Sequence, residues 1–391
     1  MNLEIPPLDC GTLCVNQNSD FDDLLTTARQ FHPMPTEEDI AHLRLIRTPR
    51  IGPKNFRKLI NTYGTATKAL EYVPKMAADA GVKGFTLADE KAVLAEFSHG
   101  RKIGAKPYFL GRSEYPSALG IAPDAPPFFW ALGRTELLKT RIVGMVGARN
   151  ASSLGTRFAR SLAQALGEAG LTVASGLARG IDAAAHQAAL ETGTIAVQAG
   201  GLSTVYPPGS ETLHHEIGIS GLRLSEHSLG LQPQARHFPR RNYVLAGLCE
   251  ALIVVEGASG SGSLITARAA LDLGREVMAV PGHPFDARAS GCNALLKDGA
   301  VLIRNADDVL EALSPERQDA ITAAEPTADP ADRKREKTRP ILSLIGPTPS
   351  PEDAIIRDSG LSVSDAARQI AELELAGQIT RDAGGRIARS A

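Results

Sequence analysis

Three features of the sequence predict an α/β protein with a small helical region before it and another small region after it. Between about residues 106 and 313, short β-branched runs alternate with amphipathic segments, at spacings of roughly 23 to 30 residues from strand to strand. Residues 36–105 show helical periodicity and turn signals, and residues 340–391 combine helical periodicity with two short strand-like runs. We therefore expect a doubly wound, mostly parallel Rossmann-like sheet with a small domain on either side of it in the sequence.

The composition excludes some classes of nucleic-acid-binding and lipid-binding protein. The 391 residues include 42 Lys and Arg against 44 Asp and Glu, so the formal net charge is −2. This charge excludes a protein that holds nucleic acid or acidic lipid through bulk electrostatics alone, but it is compatible with a local basic site. With 11 Phe, 6 Tyr and 1 Trp, rings are too few for a fold that binds single strands on ladders of stacked aromatics.

Cysteine usage and hydropathy predict a cytoplasmic protein with no membrane span. The N-terminus lacks a basic region followed by an apolar stretch, and no apolar run approaches the length of a membrane-spanning helix. The four cysteines show no zinc-type pairing, which fits a reducing compartment. Cys10 and Cys14 lie upstream of His32, but two cysteines in a polar arm are more often free thiols than metal ligands. No metal site is predicted.

The N-terminal region divides into two parts. Residues 1–35 have little periodicity and are interpreted as a poorly ordered arm. At Thr36 a capped helix begins, and a tight turn at Gly52-Pro53 leads into further helices. Residues 36–105 thus resemble a SAM or helix-hairpin-helix unit, whose hairpin amides can meet a phosphate. This unit could contact DNA in that way, but we favour the alternative that it serves only as a helical packing module.

The central domain is predicted over residues 106–313. Strands are expected where β-branched residues cluster, and helices where apolar residues recur every three or four positions. The predicted strands are 141–146, 171–174, 194–198, 221–224, 251–255 and 276–279. The main predicted helices are 153–168, 181–191, 241–248 and 263–273.

The C-terminal region begins after a segment that cannot form a core. Residues 314–339 are rich in Ala, Glu, Asp, Pro and Thr and end in a charged run, so they are interpreted as a linker. Residues 340–391 predict three helices and a small hairpin, the pattern of a winged-helix-like domain. They carry five Arg against seven Asp and Glu, a deficit that favours contact with a protein or a regulatory role over tight DNA binding.

Gly- and Ser-rich turns follow four of the predicted strands. They begin near Gly144, Ser175, Gly200 and Glu256. Ligands of open parallel sheets bind beyond the carboxyl ends of the strands, where loops lead into helix N-termini with free amides. Four such turns at one edge of one sheet predict a crevice that binds an anion.

The motifs and the local charge indicate which anion is expected. The glycines after the first strand do not form Gly-x-Gly-x-x-Gly, and no P-loop occurs in the chain, so neither NAD nor any other cofactor is predicted. Between residues 134 and 160 there are six Lys and Arg against one acid, and residues 235–242 form a second basic patch without acids. These patches beside Gly-rich turns favour a chain of phosphates.

Candidate catalytic groups have structural explanations that we favour. Asp182 and His186 lie four residues apart on one helical face, where a carboxylate can orient a general base. The favoured alternative is that Asp182 serves the helix N-terminus and His186 packs locally. Glu256 at a strand end is expected to bind loop amides, and Ser175-Gly176 is not a nucleophile elbow. No catalytic residue is predicted.

Taken in order, these residues resemble the DprA/Smf family of DNA-processing proteins, over about 200 contiguous positions. The resemblance is carried by Tyr115-Pro116, Val143-Gly-Met-Val-Gly-Ala-Arg149, Ser152, Gly155, Ser175-Gly-Leu-Ala-Arg-Gly-Ile-Asp182, His186, Gly200-Gly201, Tyr206-Pro207, Ser225-Glu226, Phe238-Pro239, Arg241-Asn242, Ser261-Gly-Ser-Leu-Ile-Thr266, Pro281-Gly282 and Ser290-Gly-Cys-Asn293. The helical unit before this stretch and the winged-helix-like tail after it match arrangements of the same family.

The resemblance implies a non-enzymatic function. Such a protein binds incoming single-stranded DNA during natural transformation, in competence and recombination, and helps to load the RecA recombinase onto it. It also implies a basic pocket on the Rossmann-like domain and a homodimer formed through that domain. The DNA-binding residues expected from this resemblance and from the Gly-rich turns are Gly147, Arg149, Ser152, Gly155, Arg157, Gly176, Arg179, Arg241, Asn242, Ser261 and Gly262.

Two departures from the family pattern and two alternative functions stay open. Tyr243 stands where the family often has Arg, and Pro208 stands where some members carry Lys, which puts one phosphate contact in doubt. We expect Phe238 or Tyr243 to be the ring that stacks on a base. The first alternative is a nucleotide N-glycosidase or phosphoribohydrolase, with Glu256 or Asp182 as its carboxylate. The second is an adaptor whose tail docks a partner.

Overall fold

A computed structural model describes residues 34–314, 341–345, 349–382 and 385–389. The predicted N-terminal arm and the predicted linker lie outside the described residues, except for residues 34, 35 and 314. The chain divides into two compact units, residues 1–317 and residues 318–391, and each is described by itself.

The first unit begins with a module of four helices. Thr36 starts it with a reciprocal cap, since its side chain accepts the amide of Asp39 at 3.2 Å while the Asp39 carboxylate accepts the amide of Thr36 at 2.9 Å. Pro53 occupies the first turn of the second helix, where its missing N–H has no cost. The helices are α1 (Glu37–Arg47), α2 (Pro53–Tyr63), α3 (Ala66–Asp79) and α4 (Glu90–Lys102).

A nine-stranded sheet forms the rest of the first unit. Its strand order is β1-β2-β6-β5-β4-β3-β7-β8-β9, and every pairing from β6 to β9 is parallel. The two strands at the β1 edge are antiparallel additions. The strands are β1 (Lys106–Phe109), β2 (Phe128–Gly133), β3 (Ile142–Val146), β4 (Thr172–Ser175), β5 (Thr194–Val197), β6 (Leu222–Ser225), β7 (Ala251–Val254), β8 (Glu276–Ala279) and β9 (Val301–Leu302).

Helices cover both faces of this sheet. Alternate residues of β3 serve the two faces, because Val143 and Met145 belong to one apolar cluster while Ile142 and Val146 belong to the other. The helices are α5 (Ser117–Gly120), α6 (Ser153–Glu168), α7 (Ile181–Ala188), α8 (Glu211–Ser220), α9 (His237–Leu248), α10 (Gly262–Asp272), α11 (Ser290–Lys297) and α12 (Ala306–Ala312).

The helical module and the antiparallel edge of the sheet share one apolar cluster. Leu43 of α1 and Phe97 of α4 pack with Phe109, Phe128 and Trp130 of β1 and β2. The Trp130 ring meets Phe97 at 5.7 Å in an edge-on contact. The two parts of the first unit therefore have a common core.

The second unit has the helices and strands of a winged helix. They are α13 (Ile341–Leu344), β10 (Ser350–Pro351), α14 (Glu352–Ser359), α15 (Val363–Leu375), β11 (Ile379–Arg381) and β12 (Arg386–Arg389). The strand order is β10-β12-β11, and buried isoleucines from the helices and from both hairpin strands form its core. The predicted fold class is confirmed for both units.

Several element boundaries differ from the sequence predictions. Helix α9 begins at His237 rather than at residue 241, and α7 ends at Ala188 rather than at residue 191. The apolar periodicity misses the first turn of α9 because that turn is basic and lines a cleft. The prediction also omitted β1 and β2, whose aromatic runs lie outside the regular strand-to-strand spacing. In the described ranges, no helix is long and apolar enough to cross a membrane.

Candidate nucleic-acid interface

A cleft of about 620 Å³ opens at the carboxyl edge of the parallel strands. Turns that follow β3, β4 and β7 form its walls, and the first turn of α9 closes one side. Seven of the predicted DNA-binding residues line it, namely Gly147, Arg149, Gly176, Arg241, Asn242, Ser261 and Gly262. Three of the four turns that the sequence singled out thus meet where an open α/β sheet binds its ligand, and the turn near Gly200 lines a smaller pocket with Gly176, Phe238 and Arg241.

Arg149 is the cation best placed to meet an anion in this cleft. It lies in the turn after β3, is exposed, and holds its guanidinium 5.4 Å from the centre of the Phe238 ring. Among the described residues, no carboxylate pairs with it. A guanidinium that stacks on a ring and has free donors is suited to bind a phosphate.

The N-terminus of α10 supplies backbone donors to the same cleft. Ser261 precedes the helix, and its hydroxyl pairs with that of Ser263 at 2.8 Å rather than capping the helix. The amides of Gly262 and Ser263 are therefore left without an acceptor among the described residues. Free amides at the positive end of an eleven-residue helix attract an anion.

Ser152 and Gly155 shape the turn after β3 from beneath and do not line the cleft. Ser152 caps α6 by accepting the Gly155 amide at 2.8 Å, and it donates its own amide to the Glu256 carboxylate at 2.9 Å. The Ser152 hydroxyl donates to the second oxygen of Glu256. The expectation that Glu256 binds loop amides is confirmed.

Position 155 requires glycine because the Glu256 carboxylate leaves no room for a side chain there. A Cβ at Gly155 would lie 2.5 Å from the Glu256 carboxylate, so Gly155→Ala must displace that group from Ser152. Although Gly→Ala inside a helix usually stabilises it, we expect this change to lower the free energy of unfolding by roughly 1–3 kcal/mol. Urea unfolding monitored by circular dichroism measures the effect.

Gly262→Ala is the matched control for that substitution. It also lies in the first turn of a helix, but a Cβ there would meet nothing within 4 Å. Its stability should equal or exceed that of the wild type. If Gly155→Ala behaved in the same way, the packing of Glu256 under the turn would not be the reason for glycine at 155.

Arg241 forms the floor of the cleft. Its side chain is 7% exposed and donates to the carbonyls of Gly176 and, at 3.2 Å, Val197, while Nε donates to Asn242 Oδ1 at 2.9 Å. Burial lowers the pKa of Arg241 and raises that of Asp182, and each charge partly offsets the effect on the other. Arg241 therefore ties the turn after β4 to α9.

Asp182 and His186 form no catalytic pair. Asp182 accepts the Ala178 amide at 3.2 Å at the start of α7. The Thr194 hydroxyl donates to Val173, so it accepts from His186 Nδ1 at 2.8 Å, and the buried Nε2 has no partner among the described residues. The structural interpretation favoured from the sequence is confirmed for both residues.

The burial of His186 predicts a pH dependence of stability. Burial lowers its pKa from 6.5 to about 3, so below pH 6.5 the unfolded chain binds a proton that the folded chain does not bind. The free energy of unfolding should then fall by about 1.4 kcal/mol per pH unit, through this one group, as the pH drops from 6.5 towards 3.

Substitution isolates this contribution to the pH dependence. His186→Met should make the slope of unfolding free energy against pH shallower by that amount than the slope of the wild type. Denaturant unfolding at several pH values between 4.5 and 7.5 measures both slopes. An unchanged slope in His186→Met would contradict the assignment.

Two predicted basic residues lie outside the cleft. Arg157 is exposed on α6 and is absent from the cleft wall. Arg179 lines a separate groove of about 440 Å³ with Gly180 and Ser210. The sequence placed all the arginines of these turns together, but a turn directs successive side chains to different sides.

Only one of the two rings expected to stack lies at the cleft. Phe238 lines it, with the Tyr206 ring at 5.6 Å. Tyr243 does not line the cleft, and its hydroxyl accepts the Asp124 amide at 3.0 Å. Arg240 does not line the cleft either, and its Nε donates to both oxygens of the Glu226 carboxylate at 2.9 Å. The sequence also missed Arg288, which lines the cleft from the loop after β8.

Comparison with known proteins agrees with this architecture. The family model for DNA recombination-mediator protein A matches residues 106–314, which is more than half of the chain. The chain belongs to the DprA/Smf family. The DprA-like N-terminal HHH domain matches residues 36–98, and the DprA winged helix domain matches residues 322–385.

Individual DprA/Smf proteins show the same relationship. The chain is 36% identical to Protein Smf of Escherichia coli over 69% of this chain and 74% of that protein. It is 44% identical to DNA processing protein DprA of Streptococcus pneumoniae over 50% of this chain and 70% of that one. The X-ray structure of the Streptococcus pneumoniae protein superposes with a TM-score of 0.58 at 34% identity, covering 71% of this chain and 98% of that chain.

Proposed function

We propose that this DprA/Smf protein binds single-stranded DNA in the cleft at the carboxyl edge of its sheet. The observation that carries the proposal is the position of unpaired Arg149 beside the free amides of α10, in one open cleft. Phosphates would bind to these donors, as the family resemblance implies. The residues Gly147, Gly176, Asn242 and Ser261 would line the path of the DNA strand along the cleft wall.

The acidic groups around the cleft support an anionic ligand. Asp182 is engaged with the Ala178 amide, Glu256 with Ser152, and Asp286 with Arg288 at 2.9 Å. Each carboxylate therefore has a local partner, whereas Arg149 has none among the described residues. The field inside the cleft thus favours negative charge although the whole chain carries −2.

Single strands fit this site better than a duplex. The cleft contains one ring, Phe238, on which an unpaired base can stack, together with Arg149 and the amides at the start of α10 as donors for phosphate. Bases paired in a duplex would be unavailable to the ring, so we expect the duplex to bind more weakly.

The remaining parts of the proposal follow from the family resemblance. The protein would act in the cytoplasm as a homodimer joined through the Rossmann-like domain, and it would help to load RecA on the bound strand during natural transformation. It would do so without catalysis, because Glu256 and Asp182 are both engaged by backbone amides. The domain divisions after residues 35, 105, 313 and 339 stay predictions.

A titration tests the proposal. Labelled single-stranded and double-stranded oligonucleotides of one length are titrated with the full chain at several salt concentrations, and fluorescence anisotropy is measured. We expect tighter binding of the single strand, with log K falling as log salt rises, by about 0.7 per neutralised phosphate. Equal affinities, or release of free base from nucleoside monophosphates by the pure protein, would overturn the proposal.

A further inference from the structure

The loop after β8 exposes an aromatic ring at the same edge of the sheet as the cleft. Phe285 is 95% exposed, and residues 281–284 before it are exposed as well. The loop leaves the carboxyl end of β8, which pairs with β7, and the turn after β7 leads into α10 at the cleft. The ring therefore stands in water at the edge of the sheet where the ligand cleft opens.

This loop is held in place by its own hydrogen bonds. The Gly257 amide donates to the Arg288 carbonyl at 2.8 Å, and the Asn293 side chain bonds both polar groups of Gly282, donating to the carbonyl at 2.9 Å and accepting the amide at 3.2 Å. Arg288 forms a bidentate pair with Asp286. Phe285 therefore projects from a fixed turn, and little conformational entropy is lost when a ligand contacts it.

Phe285 lies where it would lengthen the surface that a ligand of the cleft can contact. Arg288, three residues after Phe285, lines the cleft wall on the β8 side, while Phe238 and Tyr206 lie on the other side. Tyr206 follows β5, and four strand spacings separate β5 from β8, which is about 19 Å. A single strand of DNA whose phosphates cross this edge would pass one ring on the β5 side of the cleft and another on the β8 side.

We propose that Phe285 is a second stacking platform, on which a base of the single strand outside the cleft stacks. This inference rests on the proposed function. A nucleobase is favoured over a protein surface because the exposed neighbours of Phe285 are Gly282, Pro284 and the His283 ring at 5.6 Å, whereas protein interfaces use contiguous apolar patches. Stacking also tolerates any base, as a ligand of variable sequence requires.

A tryptophan at this position reports the contact directly. The only natural tryptophan, Trp130, is 1% exposed in the core, so its emission should not respond to DNA. Phe285→Trp is titrated with an oligonucleotide of thymidines, and tryptophan emission is followed together with the anisotropy of labelled DNA. We expect wild-type affinity and strong quenching with the same midpoint as the anisotropy change.

The matched control is Ile219→Trp. Ile219 is 56% exposed near the end of α8, at the opposite edge of the sheet. We expect no quenching there although the DNA binds. Phe285→Ala should weaken binding about 5- to 150-fold without changing the salt slope, because stacking releases no counterions.

The outcomes separate this inference from the proposed function. An unquenched Phe285→Trp that binds DNA, together with wild-type affinity in Phe285→Ala, would overturn the stacking platform and leave the cleft in place. Absence of any anisotropy change in the wild type would overturn the proposed function itself. A shift of the monomer-dimer equilibrium in Phe285→Ala, with DNA affinity unchanged, would assign the ring to a protein contact and overturn the inference.

Discussion

Arg149→Ala is expected to weaken the binding of single-stranded DNA roughly 10- to 100-fold, for all sequences alike. The guanidinium is exposed in the cleft and unpaired among the described residues, so its loss removes one charge-assisted phosphate contact, worth about 1.5–3 kcal/mol. The slope of log K against log salt should become shallower by about 0.7. Anisotropy titrations at four or more salt concentrations measure both quantities.

Arg157→Ala is the control for that experiment, because it removes the same charge from the neighbouring helix α6 without touching the cleft wall. It should change affinity by less than about threefold, since exposed charges act only through a screened field. Equal losses in the two variants would show that the local charge, and not the position of Arg149, determines binding.

Arg241→Met is expected to cause the largest loss of stability, about 3–5 kcal/mol. The substitution keeps an apolar stem but removes the donors to Gly176, Val197 and Asn242, and it leaves the buried Asp182 without its nearest compensating charge. Urea unfolding of the purified variant, or its thermal midpoint if the variant is only marginally folded, measures the loss.

Two further variants show whether this explanation is correct. Arg236→Ala removes an exposed cation just before α9 and should change stability by less than about 0.5 kcal/mol. Adding Asp182→Asn to Arg241→Met should recover part of the loss, because the uncompensated charge disappears. A stable Arg241→Met that no longer binds DNA would show that Arg241 contacts the ligand rather than supporting the turn.

The sequence predicted the site well at the level of the backbone. The four Gly-rich turns lie at carboxyl ends of parallel strands, and hydrophobic periodicity is enough to locate those strands. The order of strand and helix then places the turns at one edge, because right-handed crossovers leave few other topologies. For this reason the sequence places the turns that carry Gly147, Gly176, Ser261 and Gly262 at one edge of the sheet, while their contact with DNA stays a prediction.

The direction of side chains was not predictable in the same way. Arg149, Arg179 and Arg241 look alike in the sequence, yet one is free in the cleft, one faces a second groove and one is buried under a turn. The direction and burial of each arginine side chain depend on partners that are distant in the sequence, such as the carbonyl of Val197 for Arg241. The position of the Tyr243 ring was unpredictable for the same reason, since its hydroxyl accepts the amide of the distant Asp124.

The apolar cluster shared by the helical module and the edge of the sheet limits which fragments of the protein can fold when they are expressed alone. A fragment that starts at residue 106 would keep Phe109, Phe128 and Trp130 but lose Leu43 and Phe97, which cover them. The bared aromatic face would lie beside the unprotected edge strand β1, a combination that promotes aggregation. A fragment for crystallisation or for partner screens should therefore retain residues 34–314 as one piece.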